Sequence, residues 1–418
     1  MSAEPIQMLF FVREPFPTPR PDVAVLFGEE LLGRGHEIDF VMQAAADADP
    51  VGPQRWHGRT VWVGATDNGD GFLHRLRRQA RALRHDLQLL REVYPENYRA
   101  VQVRDKFLIA ALLAWLAPRR GLKFFYWLSF PEPESLLQRA REGSARYPLA
   151  TWVRGKLFTS LLYGWILPRC DHAFVQSEQM RRDLGVRGID PGKLTPVPMG
   201  VAAAEFPAPA PKCEADRGGL TLAYLGTLNA QRRLEILIDM LALLRARDVS
   251  ARLLLIGGGD EPGDLPRLQQ RAAALGLGPQ VEFTGLLSRE AALARVRQAD
   301  ICLSPFFPTP VLRSTSPTKL VEYLALGIPV VANDHPEQRD VLRQSGAGIC
   351  VPWGARHFAR GVAWLAARGA SERRRMGEQG RRWVLANRAY PRIADLVEAR
   401  YRQLLGTPVS THPLALPK

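Results

Sequence analysis

The sequence predicts an α/β protein of two Rossmann-like domains, each a parallel sheet with helices on both faces. Three observations carry that expectation. The chain has 418 residues, more than one ordinary core serves and suited to two domains of roughly 200 residues. In both halves short apolar runs that read as strands alternate with longer amphipathic runs that read as helices, the pattern of parallel strands joined by helical crossovers. A Pro-, Ala- and Gly-rich stretch without periodicity, 206–219, reads as a linker between a first domain, 1–205, and a second, 220–387.

Composition narrows the partners. Hydrophobic residues make up 46% and charged residues 23%, an ordinary globular balance. Lys plus Arg number 56 against 42 acids, a formal net charge of +14, which favours a membrane surface, a nucleic acid or a phosphorylated substrate. No base-stacking module accompanies the arginines, so nucleic acid is set aside. Cys170, Cys213, Cys302 and Cys350 are far apart and lack C-x-x-C spacing, which suggests neither a disulfide framework nor a zinc site. The first residues lack the basic start and long apolar core of a signal peptide, and the expectation is a cytoplasmic protein.

The first half opens on an apolar run at 8–12, a proline-rich loop at 13–21, a helical pattern at 23–32 and a strand at 37–42. The stretch 72–93 alternates Arg75, Arg77, Arg78, Arg81, Arg84 and Arg91 with leucines at helical spacing, a basic amphipathic helix that serves either as a solvated face or as a docking surface for anionic lipid. Two further strands end in Arg104-Asp105 and, past 127, in Ser129 and Glu132. Polar residues at strand carboxyl ends line the crevice of open α/β sheets, which makes Arg13, Arg104, Asp105, Ser129 and Glu132 acceptor-side candidates. The eight histidines form no constellation, so no general base is assigned. The apolar stretch 147–168 is interrupted by Arg154 and Lys156 and bounded by prolines, which suits a helix lying on a membrane surface or packed on its domain rather than a span. A strand, a helix capped by Ser177 and a strand at 193–198 complete this half.

In the second half the strand 220–225 runs into Gly226-Thr227 and then Arg232-Arg233 at the start of a helix, where fixed positive charge sits beside unpaired N–H groups. Gly257 and Gly258 follow the next strand and permit a close approach of backbone to ligand. The most informative stretch is 314–333. Ser314, Thr315 and Ser316 form a hydroxyl-rich loop, Pro317 takes a first helical position, Thr318 and Lys319 open the helix, and Gly327 ends it before a buried strand. A loop opening into a helix with a lysine in its first turn is an anion site. Glu322, one turn on, is placed to accept hydrogen bonds from vicinal hydroxyls such as those of ribose.

This stretch resembles the family-4 glycosyltransferases of GT-B fold, in the subgroup whose motif reads Ser-Pro-x-Lys-Leu-x-Glu-Tyr-x-Ala-x-Gly-x-Pro-Val-Val. The resemblance implies two parallel-sheet domains facing across a cleft, with a C-terminal helix, about 388–406, returning to the first. It implies that Glu322 binds the ribose of a sugar nucleotide, that Arg232 with Arg233 beside it contacts the diphosphate, and that the strand and turn ending in Thr284 lie beside the base. Where many members carry a second glutamate, this chain has Ser314, and where many carry an arginine it has Thr227.

The expected reaction is a retaining transfer of a hexose from a nucleotide-diphosphate sugar to a membrane-associated glycolipid or polyprenyl-diphosphate-linked glycan, as in bacterial surface polysaccharide synthesis. Retention is implied by the resemblance. Arg232, Lys319 and Glu322 are the expected catalytic set, because cations and helix starts aimed at the leaving diphosphate stabilise the charge developing there. No metal or other cofactor is expected. The protein would work on the inner face of the cytoplasmic membrane. A nucleotide-binding module without activity and a sugar-nucleotide epimerase are the alternatives on the same fold.

Overall fold

The computed structural model describes residues 4–69, 71–208 and 219–406, so most of the expected linker lies outside the described residues. The chain divides into two compact units, Met1–Pro198 with Tyr390–Lys418, and Met199–Ala389. The crossing therefore comes before residue 205. Its cause is apolar burial: Val201 and Phe206 belong to the second unit's core with Ala223, Leu254 and Tyr323.

The first unit is built on one sheet of strands β1 (Gln7–Phe16), β2 (Glu37–Ala44), β3 (Gly52–Trp56), β4 (Arg59–Gly64), β5 (Ala100–Arg104), β6 (Lys123–Leu128), β7 (His172–Val175) and β8 (Leu194–Pro196), in the order β3-β4-β2-β1-β5-β6-β7-β8. Every pairing is parallel except β3 with β4. That hairpin had no counterpart in the sequence reading; its turn places His57 and Gly58 at positive φ and its outer strand is polar and half-exposed. The central strand β1 is buried from Met8 to Val12, as expected of a strand covered on both faces. Strand order reverses between β1 and β5, so Arg13 and Asp105 emerge at the switch point.

The helix expected at 23–32 is instead Pro21–Ala24 followed by a wide turn, Leu26–Leu31, in which Glu30 N donates to Val25 O at 2.9 Å. The basic helix spans Phe72–Leu89. The helix Pro148–Thr159 continues through Ser160–Ile166, and among the described residues no helix is long and apolar enough to cross a membrane. The last helix, Tyr390–Leu405, belongs to the first unit; Val397 and Tyr401 are buried, and the Tyr401 ring lies 4.9 Å from Phe174.

In the second unit, strands β9 (Leu220–Leu225), β10 (Ala251–Ile256), β11 (Val281–Phe283), β12 (Ile301–Ser304), β13 (Val330–Asn333) and β14 (Gly348–Val351) form an all-parallel sheet in the order β11-β10-β9-β12-β13-β14. This is the doubly wound order of dinucleotide-binding sheets. Its switch point lies between β9 and β12, beside the helix Thr318–Ala325.

Candidate functional site

At the carboxyl end of β9 the backbone of Gly226 has φ +142°, and a Cβ there would stand 2.3 Å from Cε of Lys319. The positive φ favours glycine, and its missing Cβ leaves the lysine stem room to cross that strand end. Gly257, ending β10 with φ +136°, is required for the same reason: its Cβ would meet the Gly226 carbonyl at 2.3 Å. Two glycines thus open the floor of a cavity of about 490 Å³ lined by Gly226, Thr227, Gly257, Gly258, Lys319 and Glu322, among others.

Lys319 lies in the first turn of Thr318–Ala325, with its ammonium 5.2 Å from the centroid of Tyr224 and 5.7 Å from that of Phe306. The same Phe306 ring carries the Arg232 guanidinium at 5.8 Å. Two cations therefore share one aromatic ring, an arrangement stabilised by the ring's quadrupole and opposed by their mutual repulsion. Desolvation and the Arg232 charge push the Lys319 pKa down to about 7, with Glu322 opposing. Glu322 is buried, which raises its pKa, and one carboxylate oxygen lies 2.8 Å from Nη2 of Arg289.

Arg289 was missed in the sequence. It opens the helix Arg289–Val296, whose cap Ser288 accepts from Ala291 N at 3.2 Å, and it also bonds Glu205 at 2.7 Å. The Ser288 cap was the available signal for a helix start, but nothing local pairs Arg289 with a glutamate 33 residues on.

The other expected donor residues surround the cavity without lining it. Thr284 Oγ1 accepts from Gly257 N at 3.3 Å and donates to Gly285 O at 2.9 Å, bracing the turn. Ser316 Oγ accepts from Met199 N at 3.0 Å and donates to Glu337 at 3.4 Å, while Ser314 Oγ donates to Val311 O at 3.3 Å. Pro317 is the residue before the helix, and Thr318 its first. Arg232 and Arg233 do not open a helix as expected. They close a single turn, Ala230–Arg232, with Arg233 left-handed at φ +53° and its guanidinium 5.3 Å from the Phe307 ring. Asp264 accepts from Ala230 N at 3.0 Å and pins that turn, and the helix Glu235–Arg245 begins after Leu234.

In the first unit a cavity of about 540 Å³ brings together Arg13, Asp105 and Glu132, with Arg78, Lys106 and Arg154, which sequence reading did not assign to it. Arg13 lies 3.4 Å and Arg154 3.9 Å from Glu132, and Lys106 pairs with Asp86 at 2.7 Å. Arg104 is a correction: its side chain is fully buried and held by Glu14 at 2.9 Å and by Asp22, so it anchors the strand-end loop instead of facing a ligand. Asp105 accepts from Ser129 N at 3.2 Å and from Ser129 Oγ. An Asp-x-Asp triplet overlooked in the sequence, Asp47-Ala48-Asp49, is turned onto backbone amides: Asp49 accepts from Ala46 N at 2.6 Å and Asp47 from Asn68 N at 3.1 Å. Among the described residues no group of three His, Cys, Asp or Glu is placed to hold a metal.

Comparisons place this geometry among known proteins. The family model described as "Glycosyl transferase 4-like domain" matches residues 23–200, and "Glycosyl transferases group 1" matches 211–383. The phosphatidyl-myo-inositol mannosyltransferase of Mycobacterium leprae is 32% identical over 139 residues, 33% of this chain and 34% of that protein. The GDP-mannose-dependent alpha-(1-6)-phosphatidylinositol dimannoside mannosyltransferase of Mycobacterium tuberculosis is 28% identical over 157 residues, 37% of this chain and 38% of its own length. The matched stretches thus span little more than a third of these relatives. Among solved structures, sucrose-phosphate synthase of Thermosynechococcus elongatus aligns with TM-score 0.72 at 18% identity, covering 96% of this chain and 99% of that one. HepE of Anabaena in complex with UDP aligns with TM-score 0.68 at 12% identity, over 95% and 100%. At these identities the likeness is one of fold, and the fold is GT-B.

Proposed function

We propose that this chain, a glycosyl transferase 4-like domain followed by a glycosyl transferases group 1 domain, moves a hexose from a nucleotide-diphosphate sugar to a hydroxyl of a membrane-associated glycolipid. The observation that carries the reading is the convergence of Lys319, Glu322 and two obligatory glycines on one cavity at the switch point of the second sheet, with Arg232 beside it. Cations and a helix start there receive the diphosphate, and Glu322 accepts bonds from the ribose hydroxyls, exchanging part of its contact with Arg289. As the bond to the diphosphate breaks, negative charge grows where Lys319 and Arg232 are fixed, so stabilisation increases toward the transition state. We assign the charge-stabilising role to these side chains and no role to a metal ion. Retention of configuration is part of the same proposal.

A lipid-borne acceptor is supported by the names of the mannosyltransferase relatives and by the surface of the first unit. On the Phe72–Leu89 helix the inward positions are Asp86 and Leu89, so Leu73, Leu76 and Leu87 stay exposed among arginines. On the Pro148–Thr159 helix Leu149, Trp152, Val153 and Leu157 are exposed beside Arg154 and Lys156. Apolar side chains interleaved with cations on two helices suit an interface with anionic lipid headgroups.

The test is nucleoside diphosphate release from a panel of sugar nucleotides, with and without phosphatidylinositol vesicles, in EDTA. One donor should turn over in a lipid-dependent manner at an EDTA-independent rate. Release from none refutes transfer, and a rate restored only by added divalent cation refutes the metal-free assignment.

A further inference from the structure

Asp105 combines four features that packing alone does not call for. It follows β5 at the switch point of the first sheet and lines the 540 Å³ cavity. Its backbone is left-handed, φ +51°, a conformation few non-glycine residues adopt and one that collects at functional sites. Its carboxylate is buried yet, among the described residues, takes only Ser129 N and Ser129 Oγ as hydrogen-bond partners, which leaves lone pairs on both oxygens. The charged and titratable groups around it are Arg104, Arg13, Glu14, Tyr126 and its neighbour Lys106, with Glu132 and Asp86 in the same cavity lining. Burial and Glu14 raise its pKa, while Arg104, Ser129 and Arg13 lower it, with a net rise to about 6.

We propose that ionised Asp105 accepts the hydrogen bond of the acceptor's reacting hydroxyl and fixes its direction, in a cavity that takes the phosphate-linked polyol head of a lipid. The proposal rests on the glycosyl-transfer reading above and adds the group that holds the nucleophile. The cavity has room for a ring together with its phosphate, and in its lining Arg13, Arg78, Arg154 and Lys106 outweigh Asp86, Asp105 and Glu132, a positive balance for a phosphate. Phe107, Leu108 and Phe158 line the apolar side, with Leu108 exposed where a lipid tail would leave. Ser129 is a positioning residue: its two bonds set the carboxylate plane. Asn is the substitution of choice, because it tolerates left-handed backbone and keeps the shape while losing the charge.

The experiment measures phosphatidylinositol-dependent release of nucleoside diphosphate by wild type, Asp105→Asn and Ser129→Ala, with donor affinity from calorimetry on each. Asp105→Asn should lower the lipid-dependent rate by about 10- to 100-fold, the loss of one charge-assisted bond, with donor affinity by calorimetry as in wild type. The wild-type rate should fall as pH drops through about 6. Ser129→Ala should move that limb to higher pH, and Asp105→Asn should abolish it. A wild-type rate in Asp105→Asn overturns the assignment. Donor binding without transfer to phosphatidylinositol overturns the head-group class, and absence of donor binding in the wild type overturns the transfer reading itself.

Discussion

Lys319 is a cation held where it is costly to be charged. Its pKa of about 7 follows from desolvation and from Arg232, and an arriving diphosphate favours the ammonium form. A lysine with a lowered pKa is neutral above that value in the free protein, so binding above pH 7 takes up a proton. Donor affinity should be flat below about pH 7 and fall as pH rises beyond it, by at most tenfold per unit. Calorimetry in two buffers of different ionisation enthalpy measures the uptake; none at pH 8.5 would show Lys319 to be charged already. Gly226→Ala should abolish donor binding by displacing the lysine stem, with circular dichroism unchanged; retained affinity would separate Lys319 from the ligand. Lys319 and Glu322 were legible together because their spacing puts both at one helix start. Arg289 was not, because only tertiary structure brings it to Glu322.

Between residue and whole, the two chain crossings are tied to the loop that precedes the helix Thr318–Ala325. Met199 N donates to Ser316 Oγ, Val201 N donates to Arg388 O at 2.9 Å, and Glu337 pairs with Arg388 at 2.8 Å while receiving Ser316. Both members of that pair are nearly buried, so removing one leaves an uncompensated charge. Glu337→Ala should therefore destabilise the second unit by about 3 kcal/mol, a fall in Tm of several degrees; a change below one degree in scanning calorimetry would mean that solvent reaches Arg388. The sequence disclosed Ser316 as a hydroxyl beside an anion site, yet its hydroxyl serves this bracket. The basic helix shows the same limit: periodicity revealed a leucine stripe, but Asp86 and Leu89, not Leu73 and Leu76, face inward. A repeat says that a face exists and not what covers it.

Over the whole molecule, both doubly wound sheets were readable, because strands buried on two faces appear as continuous apolar runs. The β3–β4 hairpin was not, since its strands alternate and carry a proline and two arginines. The first crossing was misplaced because Val201 and Phe206 are too few to register as an element. A net charge of +14 with exposed apolar helices gives a further expectation. Cosedimentation with phosphatidylserine vesicles should be strong at low salt and weaken as screening rises, and Arg77→Gln with Arg84→Gln should reduce it most at low salt. Equal binding to neutral vesicles would make the arginines a solvated face.

The central claim, that a sugar nucleotide docks by its ribose and diphosphate on the switch-point cavity of the second unit, is tested most directly by calorimetric titration of wild type and Glu322→Ala with the preferred donor. One-site binding weakened by about tenfold or more in the variant is the expected result, since a charge-assisted bond contributes about 1.5–3 kcal/mol. Equal affinity in the two proteins would contradict it.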